Sequence, residues 1–233
     1  MHNINKVTIV IPVYNEEENI PILLDEIDRS CNFLAEYQII IIDDFSNDDT
    51  INVIQLKKKS NIKIIKNKKN CGQSFSIYKG IENATFDTIV TLDGDLQNDP
   101  NDIKNLCKIY FSDEDIKLVS GIRNKRKDSG LKIISSKIAN RVRSFILKDN
   151  CPDTGCSLKV FDKNIFLKIP YFNGLHRFIP AFFVGMNLNV KYVNVNHRFR
   201  RYGVSKYSTL SRMFKGIYDI YRVRKLIKII GNA

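Results

Sequence analysis

The sequence predicts an α/β fold, a Rossmann-like and mostly parallel sheet with helices on both faces. Three observations carry this. Short β-branched runs alternate with amphipathic stretches, the order that winds a parallel sheet. Three of those runs stop abruptly at polar residues: Val7–Val13 before Tyr14-Asn15-Glu16, Gln38–Ile42 at Asp43-Asp44, and Thr88–Leu92 at Asp93-Gly94-Asp95. The 233 residues, 43% of them hydrophobic, supply a full core for one large α/β domain.

Each element has a local reason. Val7–Val13 reads as a buried strand. Asn19 is placed to cap a helix with Pro21 in its first turn. Ile20, Leu23, Leu24 and Ile27 then form one apolar face at i, i+3, i+4 and i+7. Gln38–Ile42 is a second buried strand, Ser46–Asp49 a turn and Thr50–Leu56 a helix. Ile62–Ile65 is a third strand inside a lysine-rich, solvated stretch. After the turn Asn70-Cys71-Gly72 comes a helix over Gln73–Asn83. Thr88–Leu92 is the fourth strand, Pro100–Tyr110 a helix and Lys117–Ser120 the fifth strand, ending at Gly121. No domain boundary is evident before about residue 208, so 1–207 is expected as the main domain and 208–233 as a C-terminal helix.

That helix has apolar residues at 210, 213, 214, 217, 220 and 221, with Arg212, Lys215, Asp219 and Arg222 on or near the opposite side. From Val223 the apolar side rotates, and Arg224, Lys225 and Lys228 accompany Leu226, Ile227, Ile229 and Ile230. A basic amphipathic helix lies in a membrane interface, packs on its own domain, or docks on a separate small membrane subunit; the sequence leaves all three open.

Net charge is +12 and the pI about 9.4, which points to an anionic partner. Nucleic acid is not expected. No recognition motif is present, and acidic strand ends repel a phosphate backbone. Five cysteines without a Cys-x-x-Cys pair fit free thiols in a reducing compartment, although Cys151 and Cys156 are close enough in sequence to pair. A signal peptide is not expected, because the first strand-like run follows directly on Met1–Lys6, and no window approaches eighteen consecutive apolar residues. A cytoplasmic protein, peripheral on a membrane face, is the expectation.

The chemistry concentrates at the strand ends. Parallel strands deliver side chains to one carboxyl edge, where open α/β sheets bind ligands. Asp93 and Asp95 flank Gly94, which allows close backbone approach. With the Gln97 amide they offer hard oxygen ligands suited to Mg²⁺ or Mn²⁺ carrying a diphosphate. An ordinary acidic turn is the plain alternative for any one of these motifs; three on one edge favour a nucleotide diphosphate site.

The segments Ile11-Pro12-Val13-Tyr14-Asn15-Glu16, Asp43-Asp44-Phe45-Ser46-Asn47-Asp48-Asp49-Thr50 and Asp93-Gly94-Asp95-Leu96-Gln97 together resemble glycosyltransferase family 2, with its GT-A fold. Ser120-Gly121-Ile122-Arg123 with Arg126 and Asp128, the stretch Asp153–Lys159, His176–Pro180, and His197, Arg200, Gly203, Ser205, Lys206 and Tyr207 narrow the likeness. They are similar to the branch containing dolichol-phosphate mannosyltransferase and the bacterial polyprenyl-phosphate glycosyltransferases. The resemblance spans about residues 6–210.

It implies a metal-dependent enzyme moving a sugar from a GDP- or UDP-sugar to a polyprenyl or dolichyl phosphate, with inversion as the family pattern implies. Pro12, Tyr14, Glu16 and Asp44 would hold the nucleoside. Asp93 and Gly94 would approach the ribose and diphosphate, and Asp95 and Gln97 would ligate the metal. Arg200 and Lys206 would close over the donor diphosphate; Arg123, with Ser135, would receive the acceptor phosphate. Asp49 stands where the family usually has glycine.

This division suits the chemistry. A metal and two cations offset charge building on a diphosphate leaving group. A lipid monophosphate arrives already anionic, so it needs Arg to bind and orient it rather than a general base. The alternative is a saccharide or glycolipid hydroxyl acceptor, with Asp153 as base. Asp153 also reads as a loop cap, Arg123 and Arg126 as part of a solvated basic run, and His176 and His197 as structural hydrogen-bonders.

Overall fold

The computed structural model describes residues 6–123, 143–200, 202 and 209–230, the last helix by backbone alone as far as residue 217. In chain order the elements are β1 (Lys6–Val13), α1 (Ile20–Ser30), β2 (Glu36–Asp43), α2 (Thr50–Leu56), β3 (Ile62–Lys66), α3 (Gln73–Glu82), β4 (Thr88–Thr91), α4 (Asp102–Ser112) and β5 (Ile116–Arg123). Then follow β6 (Lys159–Asp162), α5 (Lys163–Leu167), a 3₁₀ turn (Leu175–Arg177), α6 (Ile179–Gly185), β7 (Asn189–Val195) and α7 (Thr209–Ile230).

The seven strands run in the order β3-β2-β1-β4-β6-β5-β7. β1 pairs in parallel with β2 and β4, β2 with β3, and β5 with β7; β6 runs antiparallel to both its neighbours. Alternation along each strand sends side chains to two faces. Ile39 and Ile41 join α1 and α4 in one core, through Leu23, Ile27, Ile103 and Leu106. Ile40 and Ile42 join α3, α6 and α7 in the other, through Ile77, Phe182, Phe183 and Val223. Burial on both faces explains why β2 reads as an unbroken isoleucine run. Gly80 lets α3 lie against the sheet, since a Cβ there would fall 2.5 Å from Ile42 Cδ1.

Several expectations change. Asn19 makes no side-chain cap; its Nδ2 donates instead to Glu16 Oε2 at 2.7 Å. Asp49 has φ −80°, a conformation any L-residue adopts, so nothing there requires glycine. Cys151 and Cys156 are free, buried thiols.

On α7, Asp219 faces inward, 1% exposed, and accepts from Arg177 at 2.8 Å, while Tyr221 faces out at 71% exposure. The inward side of α7 packs on the domain. Val223 is fully buried, and Ile227 lies where a Cβ on Gly185 would sit, 2.4 Å from its Cγ2. No helix among the described residues is long and apolar enough to cross a membrane.

Candidate active site

β1, β2 and β4 are adjacent and parallel, so their carboxyl ends open onto one hollow. A cavity of about 390 Å³ lies there, lined by Pro12 at the end of β1 and Tyr14 and Glu16 just after it, Asp44 just after β2, and Asp93, Gly94, Asp95 and Gln97 just after β4. Arg200 reaches in from the late loop, and Gln73 and Ser76 from α3. The sequence grouping of three acidic strand ends is thus a spatial grouping. Lys206, Ser135, Arg126, Asp128, Gly203, Ser205 and Tyr207 lie outside the described residues.

The loops at these ends are backbone-strained in a shared way. Asn15, Phe45 and Leu96, one after each strand, have φ of 54°, 72° and 63°. Asn tolerates the left-handed region; Phe and Leu occupy it at a cost of about 1 kcal/mol or more each. Hydrogen bonds hold the first two loops together. Ser46 Oγ accepts from Asn15 N at 2.9 Å, Asn15 Nδ2 donates to Asn47 Oδ1 at 2.7 Å, and Thr50 Oγ1 accepts from Glu16 N at 2.8 Å. Gly94 is required by packing between strands: a Cβ would stand 2.9 Å from Val13 Cγ1 and 3.4 Å from Pro12 O.

Asp44 is more heavily committed than its sequence context suggests. Its Oδ1 accepts from Asn67 Nδ2 and Cys71 N, and its Oδ2 from Gly72 N, all at 2.8 Å. It fixes the turn that leads into α3 while lining the cavity. Asp93 accepts from Gln73 Nε2 at 2.8 Å, and its backbone N–H donates to Asn98 Oδ1 at 3.2 Å. Burial, and then the neighbouring Asp95 charge, push the Asp93 carboxyl up to about 6.

Asp95 faces the late loop. Arg200 Nη2 donates to its Oδ2 at 2.8 Å and lies 3.7 Å from Glu16 Oε1; Gln97 N donates to its Oδ1 at 3.1 Å. The late loop is seated by a β-bridge between Asn98 and His197 and by Arg198 N donating to Gln97 O at 2.9 Å. Arg198 locks it further, bonding Glu26 Oε2 at 2.7 Å and Asp99 Oδ1 at 2.5 Å.

Beyond β4, at the end of β5, Arg123 forms a two-pronged pair with Asp153: Nε to Oδ2 and Nη2 to Oδ1, each 2.7 Å. Asp153 also accepts from the Arg123 backbone N–H at 3.2 Å. The two residues singled out as alternatives, an acceptor-binding arginine and a base, are one ion pair. Lys159 on β6 is buried with its ammonium on Cys156 O. His176 is a structural hydrogen-bonder: Ser74 Oγ accepts from Gly174 N at 2.8 Å and lies 2.6 Å from His176 Nδ1. Burial and the nearby Arg177 and Lys159 charges lower its pKa to about 3, so it is neutral. The direction of the Ser74–His176 bond follows the tautomer of the neutral ring.

Among the described residues, no group of three His, Cys, Asp or Glu side chains is arranged as a metal cage. Asp95 and Gln97 nevertheless line one cavity and offer hard oxygens. That donor set fits a divalent ion that takes its remaining ligands from a bound diphosphate and water.

A mostly parallel sheet whose acidic strand ends share one hollow under a basic loop defines a GT-A glycosyltransferase. The chain belongs to Glycosyl transferase family 2, whose profile matches residues 8–169. It is 31% identical over 239 residues to the undecaprenyl-phosphate 4-deoxy-4-formamido-L-arabinose transferase of Yersinia pestis (strain Pestoides F), covering 99% of this chain and 72% of that one. The Yersinia pseudotuberculosis (serotype O:3, strain YPIII) protein of the same name matches equally. Glucosyl-3-phosphoglycerate synthase from Mycobacterium tuberculosis, solved with Mn²⁺, UDP and glucosyl-3-phosphoglycerate, superposes with a TM-score of 0.71 at 14% identity, over 94% of this chain and 78% of that one. At that identity the likeness is one of fold.

Proposed function

We propose that this glycosyltransferase moves a sugar from a nucleotide-sugar to a polyprenyl phosphate with the help of Mg²⁺ or Mn²⁺. The observation that carries the proposal is the meeting of Glu16, Asp44, Asp93 and Asp95 around one cavity with Arg200 over it. Relatives named for undecaprenyl phosphate, aligned over nearly the whole chain, support the acceptor class.

In this reading Pro12, Tyr14, Glu16 and Asp44 form the nucleoside wall, with Asp44 acting partly through the turn it holds. Asp93 and Gly94 border the ribose and diphosphate. Asp95 and Gln97 would hold the cation, which would supply positive charge to the diphosphate leaving group. Arg200 contributes positive charge at the same place; Lys206 is assigned the same role from sequence alone. Arg200 releases Asp95 as the donor enters and turns to the phosphates, a planar fork suited to them. Arg123, oriented by Asp153, receives the acceptor phosphate, whose oxygen attacks the anomeric carbon. The phosphate brings its own negative charge, so Asp153 is free to serve as a positioning carboxylate.

Residues 1–207 form the catalytic unit, and 208–233 its membrane-facing helix. Residues 218–230 of α7 present Tyr218, Tyr221, Arg222, Arg224, Lys225 and Lys228 outward, and their one acidic residue, Asp219, is turned inward. That surface suits a peripheral position on an anionic leaflet.

The test is a radiolabelled UDP- or GDP-sugar incubated with undecaprenyl phosphate and Mn²⁺ or Mg²⁺. A mild-acid-labile labelled lipid supports the proposal. Label appearing only in a saccharide or glycolipid acceptor replaces it with the hydroxyl-acceptor reading.

A further inference from the structure

Gln73 lines the cavity, and its surroundings fix it on both sides. Before it, Gly72 at φ 87° has its N–H held by Asp44. After it, Ser74 is 3% exposed and clamped between Gly174 N and the His176 ring. The Gln73 side chain is anchored as well, because its Nε2 donates to Asp93 Oδ1 at 2.8 Å. A carboxylate accepts only from the amide nitrogen, so this bond sets which way the amide faces. The Gln73 Oε1 accepts no hydrogen bond among the described residues. A preorganised amide of this kind is rigid enough to discriminate between ligands.

We propose that Gln73 is a specificity-determining residue that reads a vicinal diol of the donor, its Oε1 accepting one hydroxyl beside the Asp93 carboxylate. Two neighbouring acceptors, one amide and one carboxylate, match two adjacent O–H donors. A nucleotide-sugar carries such a diol on its ribose and can carry another on its sugar. The inference rests on the donor-site reading above and adds to it the residue that inspects the diol.

The experiment measures binding of UDP, GDP, their 2′-deoxy and 3′-deoxy forms, UDP-glucose and GDP-mannose, each with Mn²⁺, to the full chain and to Gln73→Leu and Gln73→Glu. In the unaltered protein, removing the recognised hydroxyl is expected to weaken binding roughly tenfold. In Gln73→Leu the deoxy-form lacking the hydroxyl that Gln73 reads binds like the ribo-form, while loss of the hydroxyl on Asp93 still weakens binding, which assigns the diol to the ribose. Gln73→Glu keeps the acceptor but loses the anchor, sets a second carboxylate against Asp93, and weakens binding as well. If UDP and GDP bind Gln73→Leu unchanged, but the extra affinity of a nucleotide-sugar over its nucleotide disappears, the diol is the sugar's. Gln73→Leu indistinguishable from the unaltered protein toward every ligand, deoxy-forms included, overturns the inference alone. Failure of the unaltered protein to bind any of these nucleotides overturns the donor-site reading and this inference with it.

Discussion

Arg200 and Asp95 stand 105 residues apart in sequence and meet at 2.8 Å across the mouth of the cavity. The contact puts a guanidinium where a cation and a diphosphate are proposed to bind. It joins the late loop to the end of β4, and Arg198 seats that loop on Glu26 and Asp99.

Arg200→Ala is expected to lower kcat by roughly 100-fold, the usual cost of one group that stabilises a developing charge. Arg200→Lys should recover only part of it, since an ammonium lacks the planar fork. Steady-state kinetics with saturating acceptor check this. In the absence of nucleotide, Arg200→Ala should bind Mn²⁺ more tightly, because Asp95 has lost its competing partner.

The Arg123–Asp153 pair makes a sharper distinction. Both side chains are mostly buried, at 16% and 8% exposure. Asp153→Ala therefore strands a charge and is expected to cost about 3 kcal/mol in denaturant unfolding. If Asp153 positions Arg123, the kinetic effects of Asp153→Asn and Arg123→Ala are strongly non-additive, and Asp153→Asn leaves the shape of the pH–rate profile intact. Loss of the acidic limb in Asp153→Asn marks it as a base instead.

His176 gives a stability prediction with a definite sign. Its folded pKa of about 3 lies below the unfolded 6.5. Between those values the unfolded chain takes up a proton that the folded one does not, so the stabilisation present above pH 6.5 is lost as pH falls. The slope from this group is at most about 1.4 kcal/mol per pH unit. Urea melts from pH 7 to 4 should show a shallower decline in His176→Asn.

Much of this architecture is legible in the chain. α2 occupies Thr50–Leu56 as the sequence predicts, and β1, β2 and β4 differ only by a residue or two at their ends. Their β-branched runs and sharp polar stops are local signals. β6 is not legible because it is four residues long and carries Lys159, a charge that is tolerated in the core through Cys156 O. β7 is an outer strand, mostly half-buried or exposed along its length, so no apolar run marks it. Acidic strand ends announced the site, but Gln73 and the Arg198 clamp did not. Their roles depend on Asp93, Glu26 and Asp99, partners that only the fold supplies. Asp219 was misjudged for the same reason, since its inward turn follows from Arg177.

The seating of α7 is testable through Gly185. A Cβ there meets Ile227 at 2.4 Å, so Gly185→Ala should destabilise the protein by about 1–3 kcal/mol. Ile227→Ala in the same chain should restore most of the loss. Thermal melts of the single and double variants decide it.

The outward face of α7 predicts salt-sensitive flotation with vesicles containing an anionic phospholipid. Replacing Arg224, Lys225 and Lys228 by Gln should weaken binding by about 1 kcal/mol per charge and leave transfer to a detergent-solubilised acceptor intact.

Glu16, Asp44 and Asp93 are proposed to border one nucleotide diphosphate, and Asp95 to hold its cation. The most direct measurement is thermal stabilisation by UDP or GDP, with and without Mn²⁺, in the unaltered protein and in Asp95→Asn. Stabilisation of about 2.7 kcal/mol is expected at a hundredfold excess over Kd, dependent on the metal and abolished in Asp95→Asn. Stabilisation indifferent to both the metal and Asp95, or none with either nucleotide, contradicts it.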